Sequence, residues 1–319
     1  MDLRARIQDH DRLHERVTLD DLRLLVGQPG IDLGADSLGG IDGGGTFRAW
    51  ARNGFRPGSF SAITVHLAGG VDPVWRGQGI GRQVLAWQHA RAIQNVAHLR
   101  SAAAEAAEMP AVIGCFVEEH DVARTRLLAA AEFSAIRWFI EMRKPLDASI
   151  VEAPSARAGA GLPAGLTLDV FTTEISDQVR LAHNVAFSGH WGSAAMDPEA
   201  WRSRFDDHPA FRPDLSFVAT DRTGARPEVV GYAMNVEFVQ DWAAQGFTEG
   251  YTETLGVLPV WRGKGLAARL LEASARAFAG RGHPYAALAV DAGNPAALRL
   301  YQGLGYRSEH TSVFYGQPA

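Results

Sequence analysis

The sequence Tyr251-Thr-Glu-Thr-Leu-Gly-Val-Leu-Pro-Val-Trp-Arg-Gly-Lys-Gly-Leu-Ala267 decides the fold. Its first part favours a β-strand that ends at Val257, because Pro259 has no backbone N–H with which to continue the pairing. The residues that follow, 268–280, are rich in alanine and leucine, which favour a helix. The stretch therefore predicts a strand, a glycine turn and a helix, in that order.

The glycine turn is a predicted anion site. Gly263 and Gly265 free the backbone where the helix begins, so N–H groups are exposed at the positive end of the helix dipole. Arg262 and Lys264 bring two cationic side chains to the same small volume. We therefore expect the turn to bind a phosphate or a pyrophosphate.

The spacing of the turn residues, Arg262-x-x-Gly265-x-Ala267, is neither the dinucleotide-binding pattern nor the P-loop pattern. It resembles the signature of the GNAT superfamily of N-acetyltransferases, (Gln/Arg)-x-x-Gly-x-(Gly/Ala) after a strand. Residues 290–306, in which Asn294 opens a helix and Tyr301 lies seven residues on, resemble the second block of that family. The two blocks occur in the order that the family requires.

The resemblance implies a fold and a co-substrate. The fold is α/β of the mixed α+β type, with a mostly antiparallel central sheet, a splayed parallel strand pair and flanking helices. Acetyl-coenzyme A would place its pyrophosphate at the turn and its pantetheine arm between the splayed strands, and the Tyr301 phenol would protonate the departing thiolate. The implied cofactor-binding residues are Leu255, Gly256, Val257, Arg262, Gly263, Lys264, Gly265, Leu266, Ala267 and Asn294.

The chain contains the glycine turn twice. Residues 71–81, Val-Asp-Pro-Val-Trp-Arg-Gly-Gln-Gly-Ile-Gly, match residues 257–267 at seven of eleven positions. The repeat predicts two tandem GNAT domains: an N-terminal domain at 1–146, a Pro/Gly-rich linker at 147–165 and a catalytic domain at 166–319. The N-terminal domain is expected to lack the first strand of the fold.

The N-terminal domain is predicted to be catalytically silent. Leu128 stands at the position of Tyr301, and Asp121 at that of Asn294. Two alternatives are open for this domain: it binds acetyl-coenzyme A without chemistry, or it serves only as a structural partner. Its turn residues are Val71, Arg76, Gly77, Gln78, Gly79, Ile80 and Gly81.

Acetyl transfer to an amine needs a base, because an alkyl amine is protonated at neutral pH. Glu253 lies where many GNAT enzymes have a carboxylate that takes this proton through water, and the alternative is an exposed or salt-bridged strand residue. Tyr251 and Glu249 are the reserve candidates for the base. Simple strand alternation predicts one shared face for the side chains of Tyr251, Glu253 and Leu255.

The acceptor amine is predicted to meet three residues. His190 and Trp191 lie between two predicted helices, where the GNAT family forms its acceptor-binding wall, and Tyr251 lies on the central strand. An aromatic ring there stacks on a sugar or a ring, and a histidine binds a polar group. The alternative for Trp191 is a ring that simply fills the helix junction.

The amino-acid composition excludes several classes of protein and of binding partner. With 319 residues, 46% hydrophobic content and a net charge of −5, the chain has an ordinary globular composition and no general attraction to nucleic acid or to an anionic membrane. The single Cys115 excludes an internal disulfide and a cysteine metal cluster. We therefore expect a cytoplasmic monomer or weak homodimer that uses no metal.

The sequence predicts an acetyl-coenzyme A-dependent N-acetyltransferase that acts on a primary amine of a small molecule by direct attack in a ternary complex. A non-catalytic acyl-coenzyme A sensor is the alternative from another class. The two-domain organisation, with residues 142–146 and 299–305, also resembles the mycothiol synthases, which implies an amino-sugar thiol as acceptor. Tyr251 stands where those enzymes have a carboxylate, which favours a different small amine.

Overall fold

The computed structural model describes residues 2–13, 16–26, 32–55, 62–102, 106–147, 150 and 162–319. The chain divides into two compact units. Unit 1 consists of Met1–Trp138, Trp191–Ala194 and Thr311–Ala319, and unit 2 consists of Phe139–His190 and Ala195–His310. The predicted linker, residues 147–165, falls mostly outside the described residues.

Unit 1 contains a sheet covered by helices. The helices described in it are α1 (Asp2–Asp11), α2 (Leu19–Val26), α3 (Leu33–Asp36), α4 (Ile80–Ala102) and α5 (Val122–Ala130). The strands are β1 (Ser37–Ile41), β2 (Phe47–Phe55), β3 (Ile63–Val71), β4 (Ala111–Glu118), the start of β5 (Ser134–Pro145) and the end of β11 (Arg307–Pro318). β1, β2 and β3 form an antiparallel meander, β4 runs parallel to β3, and β11 pairs antiparallel with β4.

Unit 2 repeats this plan. Its helices are α6 (Ser176–Phe187), α7 (Pro198–Arg204), α8 (Val239–Gln245), α9 (Leu266–Gly280) and α10 (Pro295–Gly303). Its strands are β6 (Leu166–Val170), β7 (Phe217–Asp221), β8 (Glu228–Val236), β9 (Glu249–Val257) and β10 (Tyr285–Asp291), together with the end of β5. The order across the sheet is β5-β10-β9-β8-β7-β6, and only β9 and β10 are parallel.

The core of each unit lies between its sheet and its long helix. In unit 1, alternate residues of β3, such as Val65 and Leu67, are buried in one cluster with Leu85 and Val96 of α4. Unit 2 buries β8 almost completely, because helices cover both of its faces, and Leu270 of α9 belongs to the same cluster. The mixed α/β fold with flanking helices is therefore confirmed.

The final strand of each sequence repeat belongs to the other compact unit. Residues 139–145 of β5 follow the first repeated turn, yet they pair with β10 of unit 2. Residues 312–318 of β11 follow the second turn, yet they pair with β4 of unit 1. The compact units therefore differ from the predicted boundaries in this respect, since a sequence repeat does not reveal which sheet a strand completes.

A parallel strand pair separates in each unit. In unit 2, β9 and β10 pair from Glu249 to Thr252 on β9, and the remaining residues of β9 continue without β10 beside them. In unit 1, β3 and β4 pair from Ile63 to His66 on β3 and separate in the same way. Each separation leads directly to a glycine turn, so the fold presents unpaired strand backbone next to a helix N-terminus.

Candidate active site

The glycine turn of unit 2 is open at the start of α9. Gly263 and Gly265 have φ values of 74° and 77°, a left-handed conformation that favours glycine. Gly265 is the N-cap of α9 and offers no capping side chain, whereas Asp197 and Asn294 cap α7 and α10. The N–H groups in the first turn of a helix have no acceptor within the helix, so the turn can donate them to an anion.

Arg262 braces this turn. Its Nε donates to the carbonyl of Val257 at 3.1 Å, and its Nη2 donates to the carbonyl of Ala186 at 2.8 Å. Lys264 Nζ lies 4.4 Å from the centre of the Trp261 ring. Two nitrogens of the Arg262 guanidinium thus hydrogen-bond to backbone carbonyls, and the contact of this side chain with an anion stays a prediction.

A β-bulge interrupts β9 at Glu253. Met234 of β8 pairs with Thr254, and the next residue, Asn235, pairs with Thr252, so Glu253 is the extra residue on β9. A bulge of this kind re-aims side chains and disrupts the regular ladder. The bulge lies where β9 and β10 part.

The bulge reverses the two faces of β9. A Cβ on Gly250 would meet the Phe278 ring of α9, whereas a Cβ on Gly256 would meet the Tyr232 ring, whose hydroxyl is bonded to His183 of α6. Two even-numbered residues thus point to opposite faces. The predicted alternation placed the side chains of Tyr251, Glu253 and Leu255 on one face of β9. The bulge makes that prediction wrong.

Glu253 forms an ion pair with Arg204, the last residue of α7. The carboxylate is half-buried, and Arg204 Nη2 donates to its Oε1. Of the reserve candidates, Glu249 is buried and accepts from Arg143 Nε at 2.6 Å, while the Tyr251 ring packs edge-on against Phe238. Glu253 is thus less buried than Glu249, and Arg204 fixes its orientation.

Tyr301 lies at the seventh residue of α10 and is 8% exposed. It belongs to an apolar cluster against which Leu255 of β9 and Ala297 of α10 also pack. Burial raises the pKa of the Tyr301 phenol to about 12, so the phenol keeps its proton at neutral pH. Asn294 Oδ1 caps the same helix by accepting from the N–H of Ala297 at 3.1 Å.

Sequence reasoning missed the buried pair of His183 and Tyr232. The His183 ring stacks on Phe187, and its Nδ1 is hydrogen-bonded to the Tyr232 hydroxyl at 2.8 Å. A Cβ on Gly256 would lie 2.3 Å from that hydroxyl, so only glycine fits there. Glycine inside a strand signals such a close approach, and Gly256 was the clue available in the sequence.

The two loop residues predicted to bind the acceptor belong to different units. His190 lies in unit 2, where its ring is 5.3 Å from that of Phe187. Trp191 lies in unit 1, between the Phe314 ring at 5.1 Å and the Arg137 guanidinium at 5.5 Å. Trp191 thus has aromatic and cationic partners within unit 1, and acceptor binding by the two residues stays a prediction.

The turn of unit 1 has the same backbone conformation. Gly77 and Gly79 have φ values of 77° and 85°, and Arg76 Nε donates to the carbonyl of Val71 at 3.1 Å, as Arg262 does to Val257. The remaining nitrogens of Arg76 bind Asp11 at 2.6 and 2.8 Å. The turn residues Gln78, Ile80 and Gly81 complete the same geometry.

The helix that follows β4 matches α10 position by position. Asp121 caps α5, as Asn294 caps α10, and Leu128 is the seventh helical residue, as Tyr301 is. Leu128 is 2% exposed and has no proton to donate. Within the described residues, no cluster of three metal-ligating side chains occurs, and no helix is long and apolar enough to cross a membrane.

The chain resembles known acetyltransferases in sequence. The model of the Acetyltransferase (GNAT) family matches residues 177–306. A mycothiol acetyltransferase of Thermobifida fusca (strain YX) is 30% identical over 260 residues, which cover 77% of this chain and 72% of the relative. The chain therefore belongs to the GNAT family of acetyltransferases. It is an N-acetyltransferase organised like the mycothiol acetyltransferases.

Two solved structures share the fold. A GCN5-related N-acetyltransferase from Sphaerobacter thermophilus superposes with a TM-score of 0.67 at 24% identity, covering 99% of this chain and 90% of that one. A tandem GNAT protein from the clavulanic acid biosynthesis pathway gives a TM-score of 0.55 at 18% identity, covering 87% and 81%. These likenesses establish the fold, and the activity follows from the family.

Proposed function

We propose that this chain transfers the acetyl group of acetyl-coenzyme A to a primary amine of a small molecule, with the chemistry in unit 2. The observation that carries the proposal is the grouping of Leu255, Ala297 and Tyr301 at one apolar cluster beside the diverging strands. Unit 2 therefore contains a neutral phenol, unpaired strand backbone and an uncapped helix N-terminus. The amine would attack directly, in a ternary complex.

The coenzyme would be held mainly by backbone groups. The N–H groups from Gly263 to Ala267 suit its pyrophosphate, and the unpaired backbone of Leu255, Gly256 and Val257 suits the amides of its pantetheine arm. Asn294 uses its Oδ1 for capping, which leaves its Nδ2 to donate to a pantetheine carbonyl. Acetyl-coenzyme A supplies the acetyl thioester.

The proton chemistry is assigned to two side chains. Tyr301, held neutral by burial, donates a proton to the departing sulfur. Glu253, oriented by Arg204, accepts the proton of the amine through water. Base and acid thus lie on β9 and α10, the two elements that border the strand separation.

Two acceptor classes are supported by different observations. The mycothiol acetyltransferase relatives favour an amino-sugar thiol with a free amine. Tyr251 favours another small amine, because its ring packs against Phe238 at a position where the resemblance implies a carboxylate. Thiol release from acetyl-coenzyme A, measured across amino-sugar thiols, aminoglycosides, polyamines and peptide amino termini, would distinguish the two classes.

The proposal is tested by Tyr301→Phe. We expect turnover to fall about 100-fold or more, since a positioned general acid contributes at least that much, while the affinity for acetyl-coenzyme A stays close to that of the wild type. Tyr285→Phe is the matched control, because this half-buried tyrosine of β10 packs through its ring against Phe247. Unchanged turnover in Tyr301→Phe would remove Tyr301 from the mechanism.

A further inference from the structure

Arg124 of α5 bridges the strand separation of unit 1. Its Nη2 donates to the carbonyl of Gly69 at 2.7 Å. Gly69 lies beyond His66, the last residue of β3 that pairs with β4. The guanidinium therefore satisfies a backbone carbonyl that the neighbouring strand leaves unpaired.

The guanidinium also lies close to β4. Burial raises the pKa of the Cys115 thiol of β4 to about 11, and the charge of Arg124 acts on that thiol in the opposite direction. Arg124 is anchored at its own N–H, which donates to the capping carboxylate of Asp121 at 2.9 Å. Its side chain thus runs from the start of α5 into the gap between β3 and β4.

Unit 2 has an alanine, Ala297, at the position that Arg124 occupies in unit 1. Gly69 pairs with Ala51 of β2, and Leu255 pairs with Ala233 of β8 at the corresponding place in its sheet. Arg124 is the third residue of its capped helix, and the third residue of α10 is Ala297. A methyl group cannot donate to a carbonyl, so the backbone of β9 stays available to a ligand.

An extended ligand with amide groups binds such a strand by hydrogen-bonding to its backbone, much as an added strand would. The Gly69 carbonyl accepts a charge-assisted bond from the half-buried Arg124 guanidinium, and a neutral amide would have to displace this donor. The coenzyme slot of unit 1, which is the gap between β3 and β4 beyond His66, is therefore closed by the Arg124 side chain.

We propose that Arg124 plugs the acyl-coenzyme A slot of unit 1, so that one chain binds one acetyl-coenzyme A, and binds it in unit 2. The inference rests on the proposed function, because it takes the diverging strands of unit 2 as the coenzyme site. Unit 1 has the glycine turn, but its Arg124 side chain prevents acetyl-coenzyme A from reaching the backbone of β3. Replacing Arg124 by the alanine found in unit 2 would reopen that access.

The test counts coenzyme sites in the full chain. Isothermal titration with acetyl-coenzyme A, without acceptor, is expected to give one site in the wild type and two in Arg124→Ala. Amide hydrogen exchange locates them: acetyl-coenzyme A should protect residues 253–267 in both proteins and residues 67–81 only in the variant. Arg126→Ala is the matched control, since this exposed arginine of the same helix should leave the count at one.

Arg124→Ser gives a second variant if Arg124→Ala does not fold, because it also removes the guanidinium and serine is accepted in the first turn of a helix. Two acetyl-coenzyme A sites in the wild type, or one site in both folded variants, would refute the proposed role of Arg124. The proposed function would not be affected by either result. Binding by none of these proteins would overturn the plug and the proposed function together. A second site in Arg124→Ala at which acetyl-coenzyme A protects residues outside 67–81 would also refute the proposed role of Arg124.

Discussion

In both units a parallel strand pair parts after four residue pairs, and a glycine turn with positive φ follows. The two units differ on the helix that borders the gap, where Arg124 and Leu128 in unit 1 correspond to Ala297 and Tyr301 in unit 2. These residues are four apart and share one helix face in each unit. The comparison teaches that one face of one short helix separates a gap closed by a guanidinium from an open gap beside a phenol.

A second difference lies in the strand itself. β9 has a bulge at Glu253, whereas β3 pairs with β2 in regular register from Val65 to Val71. A Cβ on Gly70 of β3 would first meet Ile7 of α1, whereas a Cβ on Gly256 of β9 would meet the Tyr232 ring. The two strands thus differ in the packing around this glycine and in the residue that a bulge presents.

The comparison predicts its largest effect for Ala297→Arg, which gives unit 2 the residue of unit 1. We expect acetyl-coenzyme A binding and turnover to fall more than about 1,000-fold, because an arginine would fill the slot and occupy the Leu255 carbonyl. Isothermal titration and thiol release measure the two losses. Ala296→Arg, at the exposed neighbouring position, is the control. Wild-type binding by Ala297→Arg would show that the gap is not the coenzyme slot.

A smaller effect is expected for Glu253→Gln, which keeps the shape of the bulge residue and removes the base. Turnover should fall about 100-fold at neutral pH and recover as the pH rises, because solvent then supplies more of the free amine. Arg204→Ala should lower turnover less, since it removes only the partner that orients the carboxylate. Glu228→Gln, an exposed carboxylate at the start of β8, is the control. A pH profile of Glu253→Gln parallel to that of the wild type would assign the base elsewhere.

The smallest expected effect is on the stability of unit 1, where ion pairs of Asp72 lie next to the glycine turn. Asp72, where unit 2 has Leu258, accepts from Arg6 and Arg48, each at 2.8 Å. Burial raises the pKa of Asp72, but the hydrogen bonds from Arg48 and Arg6 outweigh it and hold the pKa below the usual value of 3.8. The carboxylate therefore stabilises unit 1 above about pH 4, and this contribution is lost as the pH falls through the lowered pKa.

Asp72→Asn should lower the free energy of unfolding of unit 1 by about 1.5–3 kcal/mol at pH 7, the usual contribution of hydrogen bonds to a charged group. The difference from the wild type should shrink below pH 4. Thermal unfolding across pH, with amide exchange of residues 63–71 as the local reading, measures both. Equal stability of the two proteins at pH 7 would show that the ion pairs do not hold the turn.

Local sequence patterns predicted much of the fold. Glycine and proline spacing located both turns, and Asn294 was recognised as the residue that opens a helix because capping needs only neighbouring residues. The bulge at Glu253 could not be predicted, since it depends on the register between β9 and β8. The bond from Arg124 to Gly69 joins residues far apart in sequence, and no local pattern contains it.

The placement of β11 in the sheet of unit 1 has a consequence for biosynthesis. At roughly 5–20 residues per second, the ribosome delivers the partner strand of β4 about 10–40 s after β4 itself. Throughout that interval β4 presents an unpaired edge, which is a template for pairing with another nascent chain. A holdase that shields this edge would therefore raise the yield of native protein, whereas residues 139–145 are already made when β10 emerges.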